Sequence, residues 1–147
     1  MPDQKVIVFP TDFSEMSLAA LPWATRMASL ENAAIHCVYV VEEPQIYATL
    51  DMGPVPIPSA EELSTTARSR LDAFVKANLS GTGHAVRAEV LVGRPADEIV
   101  GYAKSKGAIL IIMTTHGYSG VKHMLLGSTT EGVLRHATCP VLSIRNA

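Results

Sequence analysis

Apolar, β-branched runs alternate along this chain with segments of helical period, and that alternation limits its fold more than any other feature. Lys5-Val6-Ile7-Val8-Phe9, Ala34 to Val41 and Ala108 to Met113 are the clearest runs, and between them leucines and alanines recur every three or four residues. Parallel neighbours in a sheet need a long crossover, usually a helix, so this pattern predicts right-handed βαβ units around a parallel sheet. With 147 residues, 48% apolar and 18% charged, the chain has the size and composition of one globular domain spanning 1–147.

After the first strand, Pro10 and the polar Thr11-Asp12-Phe13-Ser14 make a turn, Ser14 is placed to cap a helix, and Leu18, Leu21, Thr25 and Ala28 follow at helical spacing. Pro22 within that pattern predicts a kink unless the helix begins later. The segment from Glu42 to Pro58 carries four prolines besides Gly53; a connection this long is expected to be a lid or partner-binding loop, or a surface loop. Ser59-Ala60-Glu61-Glu62 is a capping box opening a helix whose buried stripe is Leu63, Ala67, Leu71 and Phe74. Val86, Ala88, Val90 and Val92 alternate with polar residues, as in an edge strand with one wet face. Pro95 suits a first helical position, with Ile99, Val100 and Ala103 facing inward and Lys104, Lys106 and Gly107 closing the helix. Ala108 to Met113 does not alternate, as befits a strand covered on both faces. A helix from about Thr129 to His136 then leads into the short strand Val141-Leu142-Ser143-Ile144.

Twelve basic against fourteen acidic residues give a net charge of −2, which offers no electrostatic footprint for nucleic acid or an anionic membrane. No run reaches the ~20 apolar residues of a membrane span, and Met1-Pro2-Asp3-Gln4-Lys5 is unlike a secretory leader, so a cytoplasmic protein is expected. Cys37 and Cys139 lack the spacing of a zinc or redox motif and read as buried, reduced thiols.

Ligands of open parallel sheets bind beyond the carboxyl ends of the strands, where strand order reverses. That rule selects Pro10 to Ser14, Val40-Val41, and Thr114 to Thr130. The last joins a buried strand to a helix through Gly117, Gly120, Gly127, Ser128, Thr129 and Thr130. Glycines let backbone N–H groups approach an oxyanion, and the helix N-terminus adds donors and a positive dipole end. There is no G-x-x-x-x-G-K-[ST] and no G-x-G-x-x-G after the first strand, and Gly117-Tyr118-Ser119-Gly120 is one residue short of a nucleophile elbow. Ser128 with Glu131 also has the spacing of a capping box, and Asp12 that of a turn or cap residue. His116 and His123 read as surface or structural histidines, and Lys122 as a solvated side chain or an electrostatic partner of a phosphate.

Thr114-x₂-Gly117-x₉-Gly127-Ser128 resembles the G-x₂-G-x₉-G-[S/T] nucleotide motif of the universal stress protein family, with Thr114 where the motif has its first glycine. Val6-Ile7-Val8-Phe9-Pro10-Thr11-Asp12-Phe13-Ser14 and Ala137-Thr138-Cys139-Pro140-Val141-Leu142-Ser143-Ile144 are similar to the family's first and last strands. The resemblance covers essentially the whole chain. It implies an α/β, Rossmann-like open sheet of five parallel strands, order 3-2-1-4-5, with helices on both faces. It also implies ATP binding, commonly with Mg or Mn, and a homodimer formed through the fifth strand at Val141, Leu142, Ser143 and Ile144. Carried over by position, Pro10, Thr11 and Asp12 would contact adenosine and the Val40 backbone the adenine edge. Met113, Thr114, Gly117, Gly127, Ser128 and Thr129 would hold ribose and phosphates. The branched Cβ of Thr114 disfavours positive φ, while its hydroxyl is a candidate donor to ribose or phosphate.

The leading expectation is therefore a regulatory, ATP-binding stress-response module with an unknown protein partner and at most slow hydrolysis, since no paired carboxylates frame a water beside the phosphates. The alternative is a nucleotide-independent dimeric interaction protein that recognises its partner through 42–58. An enzyme that cleaves or transfers adenylate on the same kind of scaffold is a third, for which the sequence shows no catalytic machinery.

Overall fold

The computed structural model describes residues 3–42, 58–115 and 126–145. Its strands are β1 (Val6–Pro10), β2 (Ala34–Val41), β3 (Val86–Val92), β4 (Leu110–Thr114) and β5 (Val141–Ile144), all parallel, in the order β3-β2-β1-β4-β5. The helices are α1 (Leu21–Glu31), α2 (Ala60–Asn78), α3 (Pro95–Ser105) and α4 (Ser128–His136). The chain runs outward from β1 through β2 to β3, then returns past β1 to β4 and β5. Strand order thus reverses between β1 and β4, and right-handed crossovers put α1 and α2 on one face and α3 and α4 on the other.

The two-residue period of the strands sorts their side chains into two cores. Ile7, Phe9, Ile35 and Cys37 meet Ala24 and Ala28 of α1 and Leu71 of α2. Val8, Val38, Ile111 and Met113 meet Ile99 and Ala103 of α3 and Val133 of α4. Ile111 and Ile112 are both fully buried on opposite faces, which explains why this run shows no alternation. β3 lies at the sheet edge, as its alternation predicts, with Arg87 exposed.

The first crossover differs from the single helix expected. Ser14 caps a 3-10 helix, Glu15–Ala20, by accepting from the Ser17 N–H, and the α-helix begins only at Leu21. Pro22 is the reason: deep in a helix its ring would strike the carbonyl four residues back, whereas in the first turn it has no hydrogen bond to lose. It starts α1 and does not kink it. The Ser59–Glu62 capping box forms in both directions, at 3.1 Å and 3.0 Å. Pro95 opens α3.

Cys37 is buried but Cys139 is only half-buried, correcting the expectation for the second thiol, because it precedes a strand at the sheet edge. The proposed lid or partner-binding loop lies, apart from Glu42 and Pro58, outside the described residues, as does 116–125 with Gly117, His116, Lys122 and His123. Among the described residues no helix is long and apolar enough to cross a membrane.

Candidate functional site

A cleft of about 750 Å³ opens at the carboxyl ends of the strands, where their order reverses. From β1 and the turn after it come Pro10, Thr11 and Asp12; from β2, Val40; from β4, Met113 and Thr114; and from the start of α4, Gly127, Ser128 and Thr129. Of the residues expected to contact nucleotide, all but Gly117, which lies outside the described residues, line this one opening.

The β1 turn is held by its own side chains. The Thr11 hydroxyl accepts from the Phe13 N–H at 3.0 Å and lies 3.0 Å from the Ser17 hydroxyl. Since the Ser17 hydroxyl donates to the Ser14 carbonyl at 2.7 Å, Thr11 is the donor of that pair. Asp12 Oδ1 accepts from both the N–H (3.0 Å) and the hydroxyl of Ser14. Asp12 and Thr11 therefore do the turn-holding work of the plainer reading, while their positions still line the cleft. The same bonds fix Phe13 at φ 65°, a left-handed conformation uncommon for an aromatic residue.

Backbone direction explains why Val40 matters. The Thr11 N–H donates to the Val38 carbonyl at 2.9 Å, so Val38 faces β1, and Val41 faces the other way, its carbonyl accepting from the Gly93 N–H at 2.9 Å. Val40, two residues past Val38, again turns its N–H and C=O toward β1. But β1 pairs only as far as Pro10 with Val38. The backbone of Val40 consequently faces the cleft with no strand beside it on that side.

At the opposite wall, Gly127 is the N-cap of α4, contributes no side-chain cap, and Ser128 is the first helical residue. The Ser128–Glu131 capping box does not form; the Glu131 carboxylate instead pairs with Arg135 at 2.8 Å. The exposed Ser128 hydroxyl thus stands at a helix N-terminus without serving as its cap. α4 is anchored to the sheet by Thr130, whose hydroxyl donates to the Thr114 carbonyl at 2.8 Å, and by the Gly127 N–H, which donates to Thr115 at 2.7 Å. Thr114 itself lies in β4 opposite Ile144, and the positive-φ residues other than glycine among those described are Phe13 and Asn32 alone. A β-branched residue suits that extended position, so the backbone there has no need of glycine.

Sequence reasoning missed one wall of the cleft. Phe13, Tyr39 and Arg70 line it. The Phe13 ring packs on Tyr39 with centroids 4.5 Å apart and edge-on to Phe74 at 5.9 Å, and the Arg70 guanidinium lies 4.5 Å over the Phe13 ring. One signal was present: Arg70 follows Leu63 by seven residues, which puts both on one side of a helix. Among the described residues no group of three or more His, Cys, Asp or Glu side chains is arranged to hold a metal ion.

The profile of the universal stress protein family matches residues 4–145. The chain belongs to this family. Universal stress protein MJ0531 of Methanocaldococcus jannaschii is 37% identical to it over 96% of this chain and 82% of the relative. Among solved structures, that of MJ0577 from the same organism aligns with a TM-score of 0.79 at 30% identity, covering 99% of this chain and 98% of the other. A universal stress protein of Archaeoglobus fulgidus, described in complex with dAMP, shares the fold at a TM-score of 0.66 and 22% identity, over 98% of this chain and 99% of that one. The five-stranded order is the one the family resemblance implied.

Proposed function

We propose that this member of the universal stress protein family binds an adenine nucleotide, ATP being the form expected, and acts as a regulatory stress-response module. The observation that carries the reading is the pairing of two chemistries across one cleft. On one side the Val40 backbone offers a donor and an acceptor, as the edge of a purine requires. On the other, Ser128 and Thr129 stand at a helix N-terminus with no side-chain cap, as a phosphate requires. The dAMP complex of a protein with the same fold makes adenine nucleotides the first ligands to test. Oxygen donors at Asp12, Ser128 and Thr129 suit a hard cation, so these residues would help hold Mg or Mn, which would supply neutralisation of phosphate charge. Hydrolysis is expected to be slow at most, since the sequence offers no paired carboxylates with a water-positioning base.

The test begins with denaturing freshly purified protein, identifying any released nucleotide, and titrating the emptied protein with ATP with and without Mg²⁺. Released or tightly bound ATP supports the reading. Gly127→Asp, which sets bulk and negative charge at the N-cap of α4, is expected to abolish binding with the far-UV spectrum unchanged. Retained affinity in that variant would move the ligand elsewhere, and a wild-type protein with no affinity would refute nucleotide binding.

A further inference from the structure

Charge in the cleft is unevenly placed. Among the described lining residues the ionised groups are the carboxylates of Asp12 and Glu42 and a single cation, Arg70. Its neighbour on the same helix, Arg68, is occupied structurally, donating to the Ala88 carbonyl at 2.8 Å and pairing with Asp72 at 3.4 Å. Arg70 pairs with no carboxylate among the described residues. A guanidinium on a cleft wall that no described carboxylate pairs is a donor site for an anion, because its planar fork of N–H groups matches phosphate oxygens two at a time.

Arg70 is also held in place before any ligand arrives. Its guanidinium rests on Phe13, whose ring is wedged against Tyr39 and Phe74 and whose backbone is fixed by the Thr11 hydroxyl. Stacking leaves the guanidinium's in-plane N–H groups available, so contact with an aromatic face and hydrogen bonding to an anion are compatible. A side chain ordered this way loses less freedom on binding than a solvated lysine.

We infer that Arg70 is a second phosphate contact, through which the cleft favours phosphorylated over unphosphorylated ligands. The inference rests on the adenine-nucleotide reading above and adds to it a phosphate contact from α2, on the wall away from α4.

Calorimetric titration of the wild type, Arg70→Gln and Arg70→Lys with ATP and with adenosine tests it. Arg70→Gln is expected to weaken ATP about tenfold, the worth of one charge-assisted contact, and to leave adenosine unchanged. Arg70→Lys, which keeps the charge but loses the fork, falls between. High salt shrinks the difference between wild type and Arg70→Gln for ATP. Equal loss of ATP and adenosine in Arg70→Gln would show that the side chain only shapes the wall through Phe13, and would overturn the inference, as would unchanged affinity for both. Wild-type protein that binds adenosine and ATP equally well would overturn it while leaving adenine recognition standing. Wild-type protein that binds neither would overturn the nucleotide reading and this inference together.

Discussion

His36 is buried on β2, with Nδ1 2.8 Å from the Tyr102 hydroxyl of α3. Burial, then Arg87 and Lys106, hold its pKa below the ordinary 6.5 against the opposing pull of Glu89. The unfolded chain therefore binds a proton that the folded protein resists. Stability from this residue is fully present above pH 6.5 and declines as pH falls from there toward the lowered folded value. The unfolding temperature of the wild type should drop more steeply as pH falls below 6.5 than that of His36→Gln, as calorimetric scans would show; parallel slopes would contradict this. A second residue-scale expectation concerns the thiols. Burial pushes the Cys37 thiol up to about 12, so almost no thiolate exists there at neutral pH. A disulfide reagent should label Cys37 only after unfolding, and Cys139→Ser should leave the native protein unlabelled.

At the scale of elements, helix contacts and turn chemistry decide more than propensity does. α3 and α4 touch where Gly132 faces Ala96: a Cβ built on Gly132 would lie 2.7 Å from the Ala96 Cβ, with no flexible side chain to yield. Gly132→Ala should push the helices apart and destabilise the fold by about 1–3 kcal/mol in urea unfolding. Gly101→Ala is the control. It lies exposed within α3, a Cβ there meets nothing within 4 Å, and a gain of about 0.5–1 kcal/mol is expected from helix propensity. If both changes moved stability equally, close helix packing would not be the cause.

For the whole molecule, the open edge at β5 is the feature that calls for a partner. The half-buried strand Val141–Ile144 ends the sheet, and the Ser143 hydroxyl is buried without a hydrogen-bond partner among the described residues. Edges of this kind are commonly covered. We propose that a second copy covers it in a homodimer, and light scattering at micromolar concentration should return twice the chain mass; a monomer would refute the proposal. The cleft belongs to the same scale, because it is assembled from β1, β2, β4, α2 and α4 and exists only once those elements have packed together.

The sequence by itself determined the strands and α-helices, though not the 3-10 helix Glu15–Ala20 that precedes α1. Strand runs, the Ser59–Glu62 capping box and Pro95 at a helix start are matters of local geometry, settled within one or two turns of chain. Spacing together with family resemblance also marked Pro10 to Asp12, Val40 and the Thr114 to Thr129 positions. Tertiary structure decided what spacing along one segment cannot express. Phe13, Tyr39 and Arg70 meet only because β1 and β2 are neighbours and α2 crosses the same face. The start of α4 shifted by one residue, so that Gly127 took the cap and Ser128 was released toward the cleft. Cys139 leads into β5, beyond which the sheet has no further strand among the described residues, and its thiol stayed half-exposed. In each case the deciding contact joins residues far apart in sequence, and its energy depends on packing that no local pattern records.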